Sequence, residues 1–240
     1  GARGIFSAEQ VRAALQAPSV KRPRQRLVSI EQTSNSGGGS IWPLATVQAV
    51  AAVAQEHGLA VHMDGARLLN AVVASGVPAR DFAAPCDSVW IDLSKGLGCP
   101  VGAVLAGERA FIEEAWRCKH LFGGAMRQAG ILAAAGVYAL EHHVQRLAED
   151  HANAKTLAEG LADIPGIALE NPEVETNMVF LDVAGTGLTA LQLSERLLTE
   201  GLRIGGRDGT RMRAVTHLDV SRAQIDEAVQ IVRRVVRDWR

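Results

Sequence analysis

The sequence predicts an α/β fold: a large domain on a mostly parallel sheet, followed by a small C-terminal α+β domain. Three observations lead there. Short, continuous apolar runs alternate with longer segments whose apolar residues recur at helical spacing, the pattern of strands buried between helices. The 240 residues are 48% hydrophobic and 21% charged, which fits globular chains and excludes disordered, collagen-like and coiled-coil classes. The composition then shifts after Ile164-Pro165-Gly166, where a second, smaller set of elements begins.

Taken in order, Ser7 with Gln10 three residues on is a capping-box signature, opening a helix to about Gln16. The segment from Arg26 to Glu31 carries Leu-Val-Ser-Ile, a short strand, and Gly37-Gly38-Gly39 marks a loop. Pro43 stands where a helix takes its first proline; Val47, Val50, Ala51 and Ala54 recur at helical spacing, and Gly58 stops the helix. Leu59 to Met63 reads as a buried strand ending at Asp64-Gly65. A short helix from Arg67 to Ala74 ends at Gly76. Ser88 to Leu93 and Val101 to Leu105 are strands, with Ser94 to Pro100 as the loop between them. Glu108 to His120 is helical, and the alanine-rich stretch from Arg127 to about Ala162 reads as one long helix.

In the second set, Met178 to Val183, Leu202 to Ile204 and Met212 to Val215 are strand-like, and Leu191 to Thr199 is helical. Ser221 and Gln224 cap a last amphipathic helix with Ile225, Ala228, Val229 and Val232 on one face. The expected boundary lies near residue 160, giving a large domain over 1–160 and a small one over 161–240. Trp42, Trp90 and Trp116 are expected as core anchors, and His142, His143 and His151 as surface or interface residues.

Charge and composition narrow the function classes. Lys plus Arg is 25 and Asp plus Glu is 26, a formal net charge of −1, and aromatics are 4%. That balance argues against nucleic-acid binding and against attraction to a membrane surface. No apolar run reaches the length of a spanning helix. Cys86, Cys99 and Cys118 have no C-x-x-C spacing, and a sparse, odd count suits a cytoplasmic protein.

Three clusters carry candidate chemistry. His62-Met63-Asp64-Gly65-Ala66-Arg67 ends a buried strand, and ligands of open α/β sheets collect at the carboxyl ends of strands. Asp64 either faces such a ligand or merely caps the next helix. Ser94-Lys95-Gly96-Leu97-Gly98 sets a lysine after an apolar strand and before two glycines. A cleft lysine often has a role, although a lone turn lysine is usually only solvated. If the fold brings them together, Lys95 and Asp64 meet the demands of pyridoxal 5'-phosphate: an amine for a Schiff base and an acid beside the ring nitrogen. Arg211-Met212-Arg213 is the third cluster, either an anchor for a substrate carboxylate or a pair of exposed strand arginines. The glycine run from Ser36 to Ser40 is a weak phosphate-cradle signal. His62 and Asp64, with His57, would suit a metal hydrolase, but no further ligand motif joins them and no metal site is expected.

Four ordered blocks together resemble the L-threonine aldolase family, of the fold-type I pyridoxal-phosphate enzymes in the aspartate aminotransferase superfamily. They are His62 to Ala71, Ser94 to Gly102, Gly123 to Gly130 and Arg213 to Val220. The resemblance implies a three-layer, PLP-transferase-like large domain and cleavage of β-hydroxy-α-amino acids such as threonine or phenylserine to glycine and an aldehyde. It implies that Lys95 forms the Schiff base and that Asp64 partners the ring nitrogen. Arg67 would reach the cofactor's phenolic oxygen or the substrate carboxylate. Ser94 and Arg127 would contact the cofactor, Arg213 would anchor the substrate carboxylate, and Ser34 would lie by the substrate hydroxyl. A homodimer or homotetramer is implied as well.

Two departures qualify this expectation. Many family members carry a histidine where this chain has Ser34, and serine is a poor base at neutral pH. A basic position just before the glycine loop is shifted, with Lys119 one place early and His120 in register. Beyond these departures, the match begins inside the family's large domain. The preceding part of the pattern would supply a phosphate cup, a ring stacked on the cofactor and part of the subunit interface. Another β-eliminating lyase or racemase of the superfamily, or an inactive fragment, is therefore the alternative expectation.

Overall fold

A computed structural model describes residues 1–206 and 209–239. The chain divides into two compact units, Gly1–Gln145 and Arg146–Arg240. The sequence sets this division near residue 160; the difference comes from the alanine-rich stretch, which is two helices rather than one.

In the first unit the elements run α1 (Ala8–Ala14), β1 (Leu27–Glu31), α2 (Leu44–Glu56), β2 (Ala60–Asp64), α3 (Leu68–Ser75), α4 (Ala79–Ala83), β3 (Ser88–Asp92), β4 (Ala103–Gly107), α5 (Arg109–Leu121) and α6 (Gly130–His142). The capping box of α1 forms as expected: Ser7 Oγ accepts from Gln10 N at 3.2 Å and Ser7 N donates to Gln10 Oε1 at 2.8 Å. Pro43 is the N-cap of α2, one place earlier than the sequence expectation. The short helix α4 follows Pro78 and was not foreseen; its one buried side chain, Phe82, fixes it to the core.

The sheet order is β1-β2-β3-β4. The first three strands are parallel and β4 is antiparallel to β3, so the sheet is mixed and mostly parallel. One core joins Ile30, Met63 and Val89 of the sheet to Val47, Val50 and Val53 of α2, to Leu68 and Ala71 of α3, and to Trp42 and Phe82. A separate cluster joins Leu93, Leu97 and Cys99 of the β3–β4 loop to Ala139 of α6. Strand β2 alternates strictly: Val61 and Met63 are fully buried, and His62 and Asp64 are half-buried.

The far side of this unit stays apolar and open. All five residues of β4 are exposed and α5 buries none. Trp116 on α5 is therefore 59% exposed rather than a core anchor, whereas Trp42 is buried. Phe122, Met126, Ile131 and Tyr138 are exposed as well.

The chain leaves α6 through a turn at 143–146. His143 Nδ1 donates to the Leu97 carbonyl at 2.7 Å, and Val144 packs on the Leu93–Leu97 cluster. These tertiary contacts override the helical propensity of the local sequence.

The second unit comprises α7 (Leu147–Ala162), β5 (Ala168–Leu169), β6 (Met178–Asp182), α8 (Ala190–Thr199), β7 (Gly205–Gly206), β8 (Arg211–Val215) and α9 (Arg222–Trp239). Its sheet is antiparallel, in the order β5-β6-β8-β7. One core unites Leu157 and Leu161 of α7, Val179 and Leu181 of β6, Leu193 and Leu197 of α8, Met212 of β8, and Ile225, Val229 and Val232 of α9. The capping pair Ser221–Gln224 forms at α9, with Ser221 N donating to Gln224 Oε1 at 2.9 Å. A second capping box, Thr189 with Gln192, starts α8. This unit is the α+β domain foreseen, with α7 as part of it.

His151 on α7 is buried, not a surface residue. Burial, and then the nearby Lys155 charge, push its imidazole from the ordinary 6.5 down to about 4. Below pH 6.5 the unfolded chain takes up a proton there that the native chain refuses. Stability is therefore complete above that pH and falls as pH drops toward 4, by up to about 3 kcal/mol. Urea midpoints at pH 7 and pH 4.5 should separate more for the wild type than for His151→Gln; equal separations would clear His151 of that role.

Candidate active site

The parallel pairing brings the carboxyl ends of β1, β2 and β3 to one edge. Glu31 lies in register with Asp64, and Asp64 with Trp90. In-register residues of neighbouring strands share a face, about 5 Å apart. His62 and Ser88, one repeat back, occupy the same face, with His62 Nδ1 and Ser88 Oγ 2.8 Å apart. The opposite face is the apolar core, so alternation aims the polar side chains away from it.

Asp64 ends β2, and its Oδ1 accepts from Ala66 N at 3.0 Å. The turn that follows is tied to β1: Gln32 N donates to the Asp64 carbonyl at 2.7 Å, and Arg67 N to the Gln32 carbonyl at 3.1 Å. Arg67 is the N-cap of α3, so its side chain starts from this same junction. Thr33, the next residue along, is buried, and its Oγ1 has no hydrogen-bond partner among the described residues.

Lys95 follows β3 in the turn. Its side chain is 36% exposed, and its Nζ pairs with Asp92 Oδ2 at 2.9 Å. The ammonium also lies 5.3 Å from the centre of the Trp90 ring. Trp90 is the register partner of Asp64, so the Lys95 ammonium lies over the residue next to Asp64 on the adjacent strand.

Asp92 is the residue that sequence reasoning missed. Its Oδ1 accepts from Ser94 N at 2.8 Å and Ser94 Oγ at 2.7 Å, and its Oδ2 takes Lys95. Burial pushes the carboxyl upward, but the hydrogen bonds from Ser94 and Lys95 outweigh it and hold it below the usual carboxylate range. An acid three residues before the lysine, at the end of a strand, was the available signal.

The remaining candidates lie as follows. Ser34 is buried, its backbone bridges Ser40, and its Oγ faces Gly4 and Gly37. The glycine loop closes on itself, with Gly38 N donating to the Asn35 carbonyl and Gly39 N to the Ser34 carbonyl. Gly38 and Gly39 take φ of 86° and 74°, which side chains resist, but their N–H groups serve the turn rather than a phosphate. Arg127 is exposed, in the turn before α6. In the second unit, Arg211 and Arg213 share the exposed side of β8. Arg211 holds Glu170 at 2.6 Å and stacks 4.2 Å from the Phe180 ring, a structural pairing. Among the described residues no cluster of three or more His, Cys, Asp or Glu side chains suits a metal ion. No described helix is long and apolar enough to cross a membrane.

The donor set fits pyridoxal 5'-phosphate. It offers a reachable amine, a carboxylate on the neighbouring strand, an arginine at the next helix start and a buried hydroxyl still lacking a partner.

Residues 1–184 match the model of a family described as beta-eliminating lyase. Low-specificity L-threonine aldolase 1 of Arabidopsis thaliana is 39% identical over 225 residues, 92% of this chain and 63% of that protein. Low specificity L-threonine aldolase of Escherichia coli strain K12 is 40% identical over 226 residues, 94% of this chain and 65% of that protein. The chain thus spans just under two thirds of the length of these relatives. Leishmania major threonine aldolase superposes with a TM-score of 0.78 at 22% identity, over 98% of this chain and 68% of that structure, a likeness of fold.

Proposed function

Because the chain belongs to the beta-eliminating lyase family, we propose that it carries the working core of a pyridoxal 5'-phosphate-dependent aldehyde-lyase. The reaction is cleavage of β-hydroxy-α-amino acids, of the threonine, allo-threonine or phenylserine type, to glycine and an aldehyde. The observation that carries this reading is the Lys95 ammonium lying over Trp90, the register neighbour of Asp64. The names of the Arabidopsis and Escherichia coli relatives support the choice of substrate.

When bound, the cofactor supplies a ring that accepts the electron pair left on Cα after the Cα–Cβ bond breaks. The chain's own residues do the rest. Lys95 would contribute the amine that holds the cofactor. Asp64 would lie by the pyridine nitrogen and favour its protonated form. Arg67 steadies the phenolic oxygen or the substrate carboxylate with its planar fork. Ser94 and Arg127 contact the cofactor in this reading. The role of Arg213 as carboxylate anchor rests on the resemblance alone. Ser34 would lie by the substrate hydroxyl but is a poor base, so water or another residue would accept the hydroxyl proton. Assembly as a homodimer or homotetramer and cytoplasmic residence belong to the same proposal. The open apolar side of β4 and α5 and the sparse cysteines support them.

The alternative is a β-eliminating lyase or racemase, favoured by one observation: Ser34 lies buried against Gly4. Product analysis separates the two. With the cofactor present, threonine or phenylserine should give glycine and an aldehyde in equal amounts. A keto acid with ammonia, or inverted substrate, would replace the aldolase reading.

A further inference from the structure

We propose that Asp92 is the proton carrier for Lys95, taking a proton from Nζ and returning it when the lysine condenses with an aldehyde. The inference rests on the reading of Lys95 as the cofactor-binding amine.

The geometry is specific. Asp92 closes β3, and its side chain is 13% exposed, so its charge is poorly hydrated and depends on its partners. Oδ1 is filled by the two Ser94 donors, which fix the plane of the carboxylate. Oδ2 is left to Lys95 Nζ at 2.9 Å, a proton-transfer distance. The ion pair also keeps the amine over Trp90, the register neighbour of Asp64. An ammonium has no lone pair, so Lys95 cannot attack a carbonyl carbon until a neighbour takes one proton. Among the described residues, Asp92 is the carboxylate in contact with that ammonium.

The step balances without an outside reagent. Nζ begins with three protons. One passes to Asp92 Oδ2, and the lone pair forms the bond to the aldehyde carbon. A second moves from nitrogen to the carbonyl oxygen. Asp92 then returns its proton to that oxygen, which leaves as water. Nitrogen keeps one proton and the positive charge, now doubly bonded to carbon, and Asp92 is again a carboxylate.

The test follows the formation of the lysine adduct, with no substrate present. The full chain is mixed with pyridoxal 5'-phosphate, and the absorbance change is timed. Borohydride then fixes the adduct, and mass spectrometry of the digest locates it. Asp92→Asn keeps the Oδ1 acceptor for Ser94 and removes only the charge. It should form the same Lys95 adduct at least ten-fold more slowly and recover rate in added formate, a small carboxylate able to carry the proton. Lys95→Ala gives the blank. If thermal melting shows that the Asn variant is unfolded, Asp92→Ala is read in the same way. An unchanged rate in a folded variant, or a slowed rate that formate does not lift, would overturn the proposal while leaving Lys95 as the attachment point. No adduct at Lys95 in the wild type would instead overturn the reading of the site, and this inference with it.

Discussion

Replacing Lys95 with alanine is expected to abolish the absorbance band formed with pyridoxal 5'-phosphate and to lower aldehyde release by at least about a thousand-fold. The loss should be chemical and not structural. The Lys95 side chain is 36% exposed, and its ion pair with Asp92 leaves Ser94 to hold the carboxylate when the lysine is gone. Circular dichroism and melting temperature should therefore stay close to those of the wild type. Asp64→Asn is the informative companion. It keeps the backbone bond from Gln32 N to residue 64 and a side-chain oxygen for Ala66 N. The band should persist while turnover falls, because an amide cannot hold a proton on the ring nitrogen. Aldehyde release that survives Lys95→Ala would end the cofactor reading, and release that then depended on added metal would turn attention to His62.

The second large effect concerns stability. Asp150 on α7 has a side chain with 0% exposure, and its charge is met by Arg146, Nη2 to Oδ1 at 2.7 Å and Nη1 to Oδ2 at 3.2 Å. The carbonyl of Asp150 also accepts from Thr216 Oγ1 at 2.6 Å, so the same residue joins α7 to the chain beyond β8. Arg146→Ala would strand a buried carboxylate and should cost about 3–5 kcal/mol. Urea denaturation followed by circular dichroism measures it. The double variant Arg146→Ala, Asp150→Asn should recover part of that loss, since a neutral amide is cheaper to leave unpaired. A single-variant loss below about 1 kcal/mol would show that the pair is not the support its burial implies.

Much of this was readable in the residues. Alternation in β2, the glycine stop after α3 and the capping pairs at Ser7 and Ser221 are local signals, and the structure follows them. Asp64 and Lys95 stand out in the sequence because each follows an apolar run, where a charged side chain is unexpected. What escaped depended on partners distant in sequence. The turn at 143–146 is held by Leu97 and its neighbours, which no window of an alanine-rich helix reveals. His151 resembles any helix histidine until the fold buries it. Trp116 misled in the opposite sense, because size alone suggested burial on a helix that buries nothing. Asp92 lay within three residues of the lysine, but its value lies in geometry: one oxygen committed to Ser94 and the other to Lys95.

The strict alternation of β2 ties error in folding to error in chemistry. Val61 and Met63 are sealed in, while His62 and Asp64 face the other way. A slip of one residue against β1 or β3 would turn Asp64 into the oil and bring Met63 to the position opposite Trp90. A one-residue slip would thus lose the apolar core and displace Asp64 together. Side chains on the buried side of β2 that hold its register therefore fix the position of Asp64 as well as the fold.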